Sequence, residues 1–188
     1  MGLIIFVRHG ESETNTGHII SDSADRYHLT RSGMEQAAFV AGQIHSLPVK
    51  RIFSSPVLRA METAKIISEK IGLPFEVDER LTESGFGLYN NYTIRELPPG
   101  EREELGMERW TDIVERMRGF AESCEGTVIA ISHALPIRAI ISSIIGLNEA
   151  TSQGIDIAYC SISCITTDPW EILSIGSKTL PASIRKRL

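Results

Sequence analysis

The sequence has little cysteine. Cys124, Cys160 and Cys164 are the whole complement in 188 residues. An odd number without a C-x-x-C excludes a disulfide framework and a zinc knuckle, and points to buried free thiols in a reducing compartment. Long apolar runs are also missing. No stretch approaches the roughly 20 residues of a membrane-spanning helix. The run Leu3 to Val7 is too short for a signal-peptide core and has no basic leader. Met1-Gly2 is followed at position 6 by Phe rather than the Ser or Thr of a myristoylation start. There is no basic excess either: 19 Lys and Arg against 24 Asp and Glu leave a formal net charge of -5. That disfavours a general nucleic-acid binder, although a local arginine cluster still suits an anionic ligand. Repeats, low-complexity segments and breaks in composition are absent. The expectation is one cytoplasmic domain over residues 1–188 that engages neither membrane nor nucleic acid.

What is present is an alternation of short apolar runs with helical patterns. Leu3 to Val7 is continuous and β-branched-rich, the signature of a strand buried on both faces. Thr30 is placed to cap a helix to about Ser46, with an apolar set of Met34, Ala37, Ala38, Ala41 and Ile44. Lys50 to Ser54 reads as a second strand. Ser55 then reads as an N-cap and Pro56 as the first helical residue, in a helix reaching about Ile71. Phe75 to Val77 is a third strand, and residues 78–100 are irregular. A helix is expected from about Glu101 to Glu122, then a strand at Thr127 to Ile131, a helix from Leu135 to about Leu147, and strands at 155–166 and 170–175. This order predicts an α/β fold: a mostly parallel central sheet with helices on both faces.

The informative residues stand at the C-terminal ends of the strands. The first strand ends at Arg8-His9 and the second at Ser54-Ser55, with Arg59 soon after. Glu83 comes a few residues after the third, and the fourth ends at Ser132-His133. Taken singly, each has an ordinary reading: a solvated histidine, a helix-surface arginine, a loop charge, a cap. In a parallel sheet, however, these ends share one edge, and open α/β sheets bind ligands there. Two guanidiniums match a phosphoryl group. Helix N-termini add N–H groups. A neutral histidine in such a cluster can act as nucleophile, because neighbouring positive charge disfavours imidazolium. Arg8, Arg59 and His133 would hold the phosphoryl oxygens during transfer. Glu83, favoured in its protonated form beside a bound phosphate, would protonate the departing alcohol and then activate water.

The blocks "RHGESETN", "SSPVLRAMETA", "LTESGFG" and "SHALPIR" occur in this order. Together they resemble the histidine phosphatase superfamily, the phosphoglycerate-mutase-like family, over nearly the whole chain. The resemblance implies that His9 is the phosphorylated nucleophile, that Arg8, Arg59 and His133 complete the phosphate pocket, and that Glu83 is the proton donor. It implies further phosphate contacts at Asn15 and Ala134, and no metal or cofactor. Gly10 reads as the point where the backbone turns close to the anion. Three departures touch none of the five central residues. Ala134 stands where many relatives have glycine, Asn90-Asn91 where Glu-Gly is common, and Asp25 lies one residue further from Leu29-Thr30 than usual.

Within the family, a mutase must shelter the phosphoenzyme and hold a carboxylate with extra cations. The stretch between Glu83 and the next strand has five arginines but no adjacent pair. The expectation is therefore a metal-independent phosphomonoester hydrolase with a small cap at about 85–109, in which Phe86, Leu88, Tyr89, Tyr92 and Trp110 form either an apolar wall or simply core. A phosphoglycerate mutase using 2,3-bisphosphoglycerate is the alternative. In that case the basic tail (Lys178, Arg185, Lys186, Arg187) would fold over the pocket and supply cations. An inactive phospho-ligand binding module is a third reading, weakened by the presence of both His9 and Glu83. A metal site from His9, His18, His28 and His133 is weaker still. The sequence leaves the oligomeric state open: an edge strand at 50–54 or 170–175 could pair into a homodimer, but nothing fixes it.

Overall fold

The computed structural model describes residues 2–186. Six strands form one sheet: β1 (Gly2–Arg8), β2 (Arg51–Ser54), β3 (Phe75–Val77), β4 (Gly126–Ser132), β5 (Ile162–Thr167) and β6 (Trp170–Ser177). The helices are α1 (Glu13–Thr16), α2 (Arg31–Ile44), α3 (Leu58–Ile71), α4 (Trp110–Glu122), α5 (Ala134–Ile145), α6 (Glu149–Ser152) and α7 (Ala182–Arg185). Strand order is β3-β2-β4-β1-β5-β6. The first four are mutually parallel, while β5 and β6 join antiparallel. The mostly parallel α/β architecture is as the sequence implied.

The period-2 alternation of the strands divides the core in two. Ile5 and Val7 of β1, with Ile129 and Ile131 of β4, face α2 and α3. Ile4 and Phe6, with Val128 and Ala130, face α4 and α5. Residues on both faces are almost wholly buried, which explains why these strands read as unbroken apolar runs. Truncating one such isoleucine to alanine costs about 2–5 kcal/mol. In α2 the buried stripe is Gly33, Ala37, Val40, Ala41 and Ile44, while Met34 is 48% exposed and Ala38 is also exposed. The helix is thus rotated by part of a turn from the expected stripe. The small residues face inward because α2 crosses the β1–α1 loop at very close range. A Cβ on Gly33 would overlap the carbonyl oxygen of Glu11, and one on Gly10 would overlap that of Gly33.

Other boundaries shift for local reasons. The expected helix at 101–122 begins only at Trp110. The single helical turn before it, Leu105 N to Glu101 O, is closed by Gly106 at φ 66°, a left-handed stop that glycine tolerates. Residues 155–161 are not a strand, because they wrap Arg8 instead. Strand β2 lies between β3 and β4, so residues 50–54 are not an edge; the edges are β3 and β6. Of the expected apolar wall, Leu88 is 88% exposed, and Trp110 packs against the core beside α4 and α5. Among the described residues no helix is long and apolar enough to cross a membrane.

Candidate active site

The parallel ladder sets the geometry. Arg8 of β1 is in register with Ser132 of β4, and Ser54 of β2 with Ile131. The pairing continues past the strands: His9 N donates to Ser132 O at 3.0 Å, and Ser55 N to Ile131 O at 2.9 Å. His9, His133 and Ser55 are therefore brought side by side by backbone hydrogen bonds. The two imidazole rings lie 5.0 Å apart, centroid to centroid.

Arg59 enters from the first turn of α3 and is 3% exposed. Its Nε donates to His9 Nε2 at 3.2 Å, and its Nη2 donates to His133 Nδ1 at 3.2 Å and to Ser21 O at 2.8 Å. A guanidinium has no acceptor, so both histidine nitrogens present lone pairs. On the far side of the His9 ring, Nδ1 donates to Gly10 O at 2.7 Å. That bond fixes the proton on Nδ1 and leaves Nε2 as the free nucleophilic atom. Burial, then the charges of Arg59 and Arg8, hold the His9 pKa well below the usual imidazole value. His133 is lowered by burial, then by Arg59, His9, Arg8 and Arg116. Both rings are neutral at physiological pH.

Arg8 donates through Nη1 to Ile157 O at 2.7 Å, and its guanidinium lies over the Tyr159 ring, 4.1 Å from the centroid. Its Nε, and Nη1 of Arg59, are buried with no hydrogen-bond partner among the described residues. Unsatisfied buried N–H groups on two cations are costly unless an anion meets them. Glu83 completes the cluster. Its Oε2 is 3.8 Å from Arg59 Nη2 and 3.7 Å from His133 Nδ1. The structure thus brings Arg8, His9, Arg59, Glu83 and His133 together.

Asn15 is different. Its Oδ1 accepts from Ser12 N and Ser12 Oγ, both at 2.9 Å, closing α1 on itself. Ala134 is the first residue of α5, with His133 as N-cap. The amide of Gly10 donates to Thr63 Oγ1, and the lack of a side chain there also accommodates the close passage of α2. Ser55 is not the expected cap. Val57 occupies that position, and Ser55 Oγ accepts from Val57 N at 3.2 Å and also meets His133 Nε2 at 2.8 Å. With Nδ1 accepting from Arg59, His133 carries its proton on Nε2 and donates it to Ser55 Oγ. Ser21, Ile157 and Tyr159 have no signal in the sequence, because each reaches the site from a loop distant along the chain. Among the described tail residues, Lys178 lines a pocket with Tyr159 beside the site, whereas Arg185 lies away from it. Arg185 donates to Gln43 O at the C-terminal end of α2, one helix length of about 20 Å from the end that meets the site loop. Arg187 lies outside the described residues. His18 and His28 are exposed, and among the described residues no group of three or more His, Cys, Asp or Glu is placed to hold a metal.

Comparison with known proteins agrees with this geometry. Residues 4–175 match the model of the histidine phosphatase superfamily, branch 1. The chain belongs to the histidine phosphatase superfamily. It is an enzyme of that family. Over all of its length it is 34% identical to a 2,3-bisphosphoglycerate-dependent phosphoglycerate mutase of Thermoplasma acidophilum, covering 98% of that protein. Among solved structures it is similar to a mycobacterial glucosyl-3-phosphoglycerate phosphatase, with TM-score 0.81, 23% identity, and 93% and 98% of the two chains covered. It is equally similar to a phosphoserine phosphatase of Entamoeba histolytica, with TM-score 0.81, 23% identity, and 94% and 98% covered. At that identity the two structures speak to the fold alone.

Proposed function

We propose that this enzyme hydrolyses small phosphomonoesters without a metal, through a phosphohistidine on His9. The supporting observation is the tautomer. With Nδ1–H held by Gly10 O, the lone pair of Nε2 is directed at the guanidinium cluster. Nε2 attacks phosphorus and the ester P–O bond breaks, with Glu83 giving its proton to the departing oxygen. Water then attacks the phosphohistidine, Glu83 takes a proton from it, the P–N bond breaks and inorganic phosphate leaves. Arg8, Arg59 and His133 stabilise the charge on the equatorial oxygens. Asn15, whose acceptor is used inside α1, offers its NH2 group, and the N-terminus of α5 at Ala134 adds its positive end.

Hydrolysis is preferred to mutase chemistry because four of the five arginines between Glu83 and β4 are committed. Arg102 pairs with Glu149, Arg109 with Asp112, Arg116 with Glu108 and Arg118 with Glu122. Arg95 is exposed. A phosphoglycerate carboxylate would have to compete with those partners. The mutase reading, with 2,3-bisphosphoglycerate as cofactor, is favoured by the 34%-identical relative. The three cysteines are free and buried, which suits a reducing, cytoplasmic setting.

Rapid acid-free quenching with radiolabelled substrate is expected to trap acid-labile phosphoenzyme. The trapped label should disappear in His9→Ala together with turnover of p-nitrophenyl phosphate, in EDTA as well as in its absence. Retained activity in a folded His9→Ala would overturn the mechanism, and strict metal dependence would overturn the metal-free reading. A coupled mutase assay with and without 2,3-bisphosphoglycerate, run beside phosphate release from a metabolite panel, separates the two readings.

A further inference from the structure

The geometry points to Arg116 as the positioning residue of the proton donor. Arg116 sits on α4 with the buried side chains Ile113, Met117 and Phe120 around it in sequence, so the root of its side chain is fixed by the core. Its guanidinium reaches across to the segment that carries Glu83. Nη1 donates to Arg80 O at 2.7 Å and Thr82 O at 3.0 Å, and Nη2 lies 3.4 Å from Glu83 O. The remaining N–H groups bind Glu108, Nε to Oε1 at 2.7 Å and Nη2 to Oε2 at 3.1 Å. Glu108 in turn accepts from Gly85 N at 3.0 Å, and its own amide donates to Gly85 O at 2.8 Å. Carbonyls before and at Glu83, and both polar groups of Gly85, are thereby tied to one arginine–carboxylate pair. Arg102 adds a bond to the buried Ser84 hydroxyl and another to Glu108 O.

This matters because residues 78–109 have no strand or α-helix of their own, only three single-turn 3-10 helices. Such a segment has few repeating backbone bonds to fix it. A proton donor misplaced by about 1 Å can cost on the order of a hundredfold in rate. The planar fork of arginine spans several acceptors at once, which a lysine ammonium does not. The inference rests on the role given to Glu83 above.

Leaving-group dependence distinguishes positioning from mere stabilisation. An alkyl phosphate needs its leaving oxygen protonated, whereas p-nitrophenolate leaves unaided. Arg116→Gln is expected to lower kcat for an alkyl phosphate about ten- to a hundredfold, while turnover of p-nitrophenyl phosphate stays within about threefold. KM and vanadate inhibition should hardly change, Arg116→Lys should recover only part of the loss, and adding Arg116→Gln to Glu83→Gln should cost nothing further. If Arg116→Gln fails to fold, Glu108→Gln takes its place, with the same selective loss expected. Equal loss on both substrates, no loss on either, or additive loss in the double variant overturns the inference. If Glu83→Gln itself shows no leaving-group selectivity, the role of Glu83 fails first, and that outcome is read independently of Arg116.

Discussion

The sheet edge that carries His9 and His133 and the segment that carries Glu83 contribute to one candidate site in different ways. At the edge, His9, His133 and Arg59 are almost wholly buried, and the first two sit on a parallel ladder that continues beyond the strands. In the segment 78–109, turns are held by side chains reaching in from α4 and from the loop at 18–23, and by backbone bonds to that loop. Asn91 N donates to Ile20 O, Phe86 N to Asp22 Oδ2, and Ser21 Oγ to Asn91 Oδ1. A ladder positions a catalytic group by backbone geometry that most substitutions leave intact. A strapped turn positions it through individual side chains, each of which can be lost. On the proposed mechanism, charge stabilisation falls to the rigid part and proton delivery to the adjustable part.

Four measurements probe that division, the largest effect first. Removing a charge from the ladder side should damage all substrates. Arg59→Ala is expected to lower kcat/KM by about a thousandfold or more for aryl and alkyl phosphates alike, and a loss confined to poor leaving groups would break the comparison. Altering the strapped side should discriminate. Glu83→Gln is expected to slow alkyl phosphates by about 10²–10³ and p-nitrophenyl phosphate by less than about tenfold; equal losses would merge the two regions.

The third concerns pH. Burial depresses His9 and His133 well below their ordinary value of 6.5, so in this range the unfolded chain binds protons that the folded one does not. Stability is therefore full above about pH 6.5 and falls as pH drops below it, until the folded values are reached. Thermal melts of His133→Asn should show a shallower acid-side decline than the parent, whereas an unchanged slope would mean that the buried pair does not carry the effect. The smallest effect is expected at Arg109, which makes an exposed pair with Asp112 near the start of α4. Arg109→Ala should alter stability by less than about 1 kcal/mol and leave the substrate ratio unchanged, in contrast to Arg116 about two turns further along α4.

Legibility in the sequence divides along the same line. The ladder side is readable because a buried parallel strand leaves a continuous apolar run, and Arg8-His9 and Ser132-His133 each end one. Topology then has only to place those ends together. The strapped side is poorly readable. Residues 101–109 look helical by their charge alternation, yet Gly106 stops the turn and Arg102 is drawn away to Ser84, Glu108 and Glu149. Ser55 falls at the end of β2 as expected and bonds locally to Val57 N, but its second partner is not readable, since His133 lies 78 residues away in sequence.

The fold class, the five residues of the pocket and the family to which they belong were all present in the linear chain, because each rests on local periodicity or on a contiguous motif. Three other features arise only in the folded molecule. The tautomer of His9 is set by Gly10 O on one side and Arg59 on the other. Arg8 is clamped between Ile157 and Tyr159. Glu83 is suspended from Arg116 and Glu108. One cause underlies all three. Hydrogen bonds between distant segments depend on where two chain paths cross, and neither path encodes the crossing in its own composition.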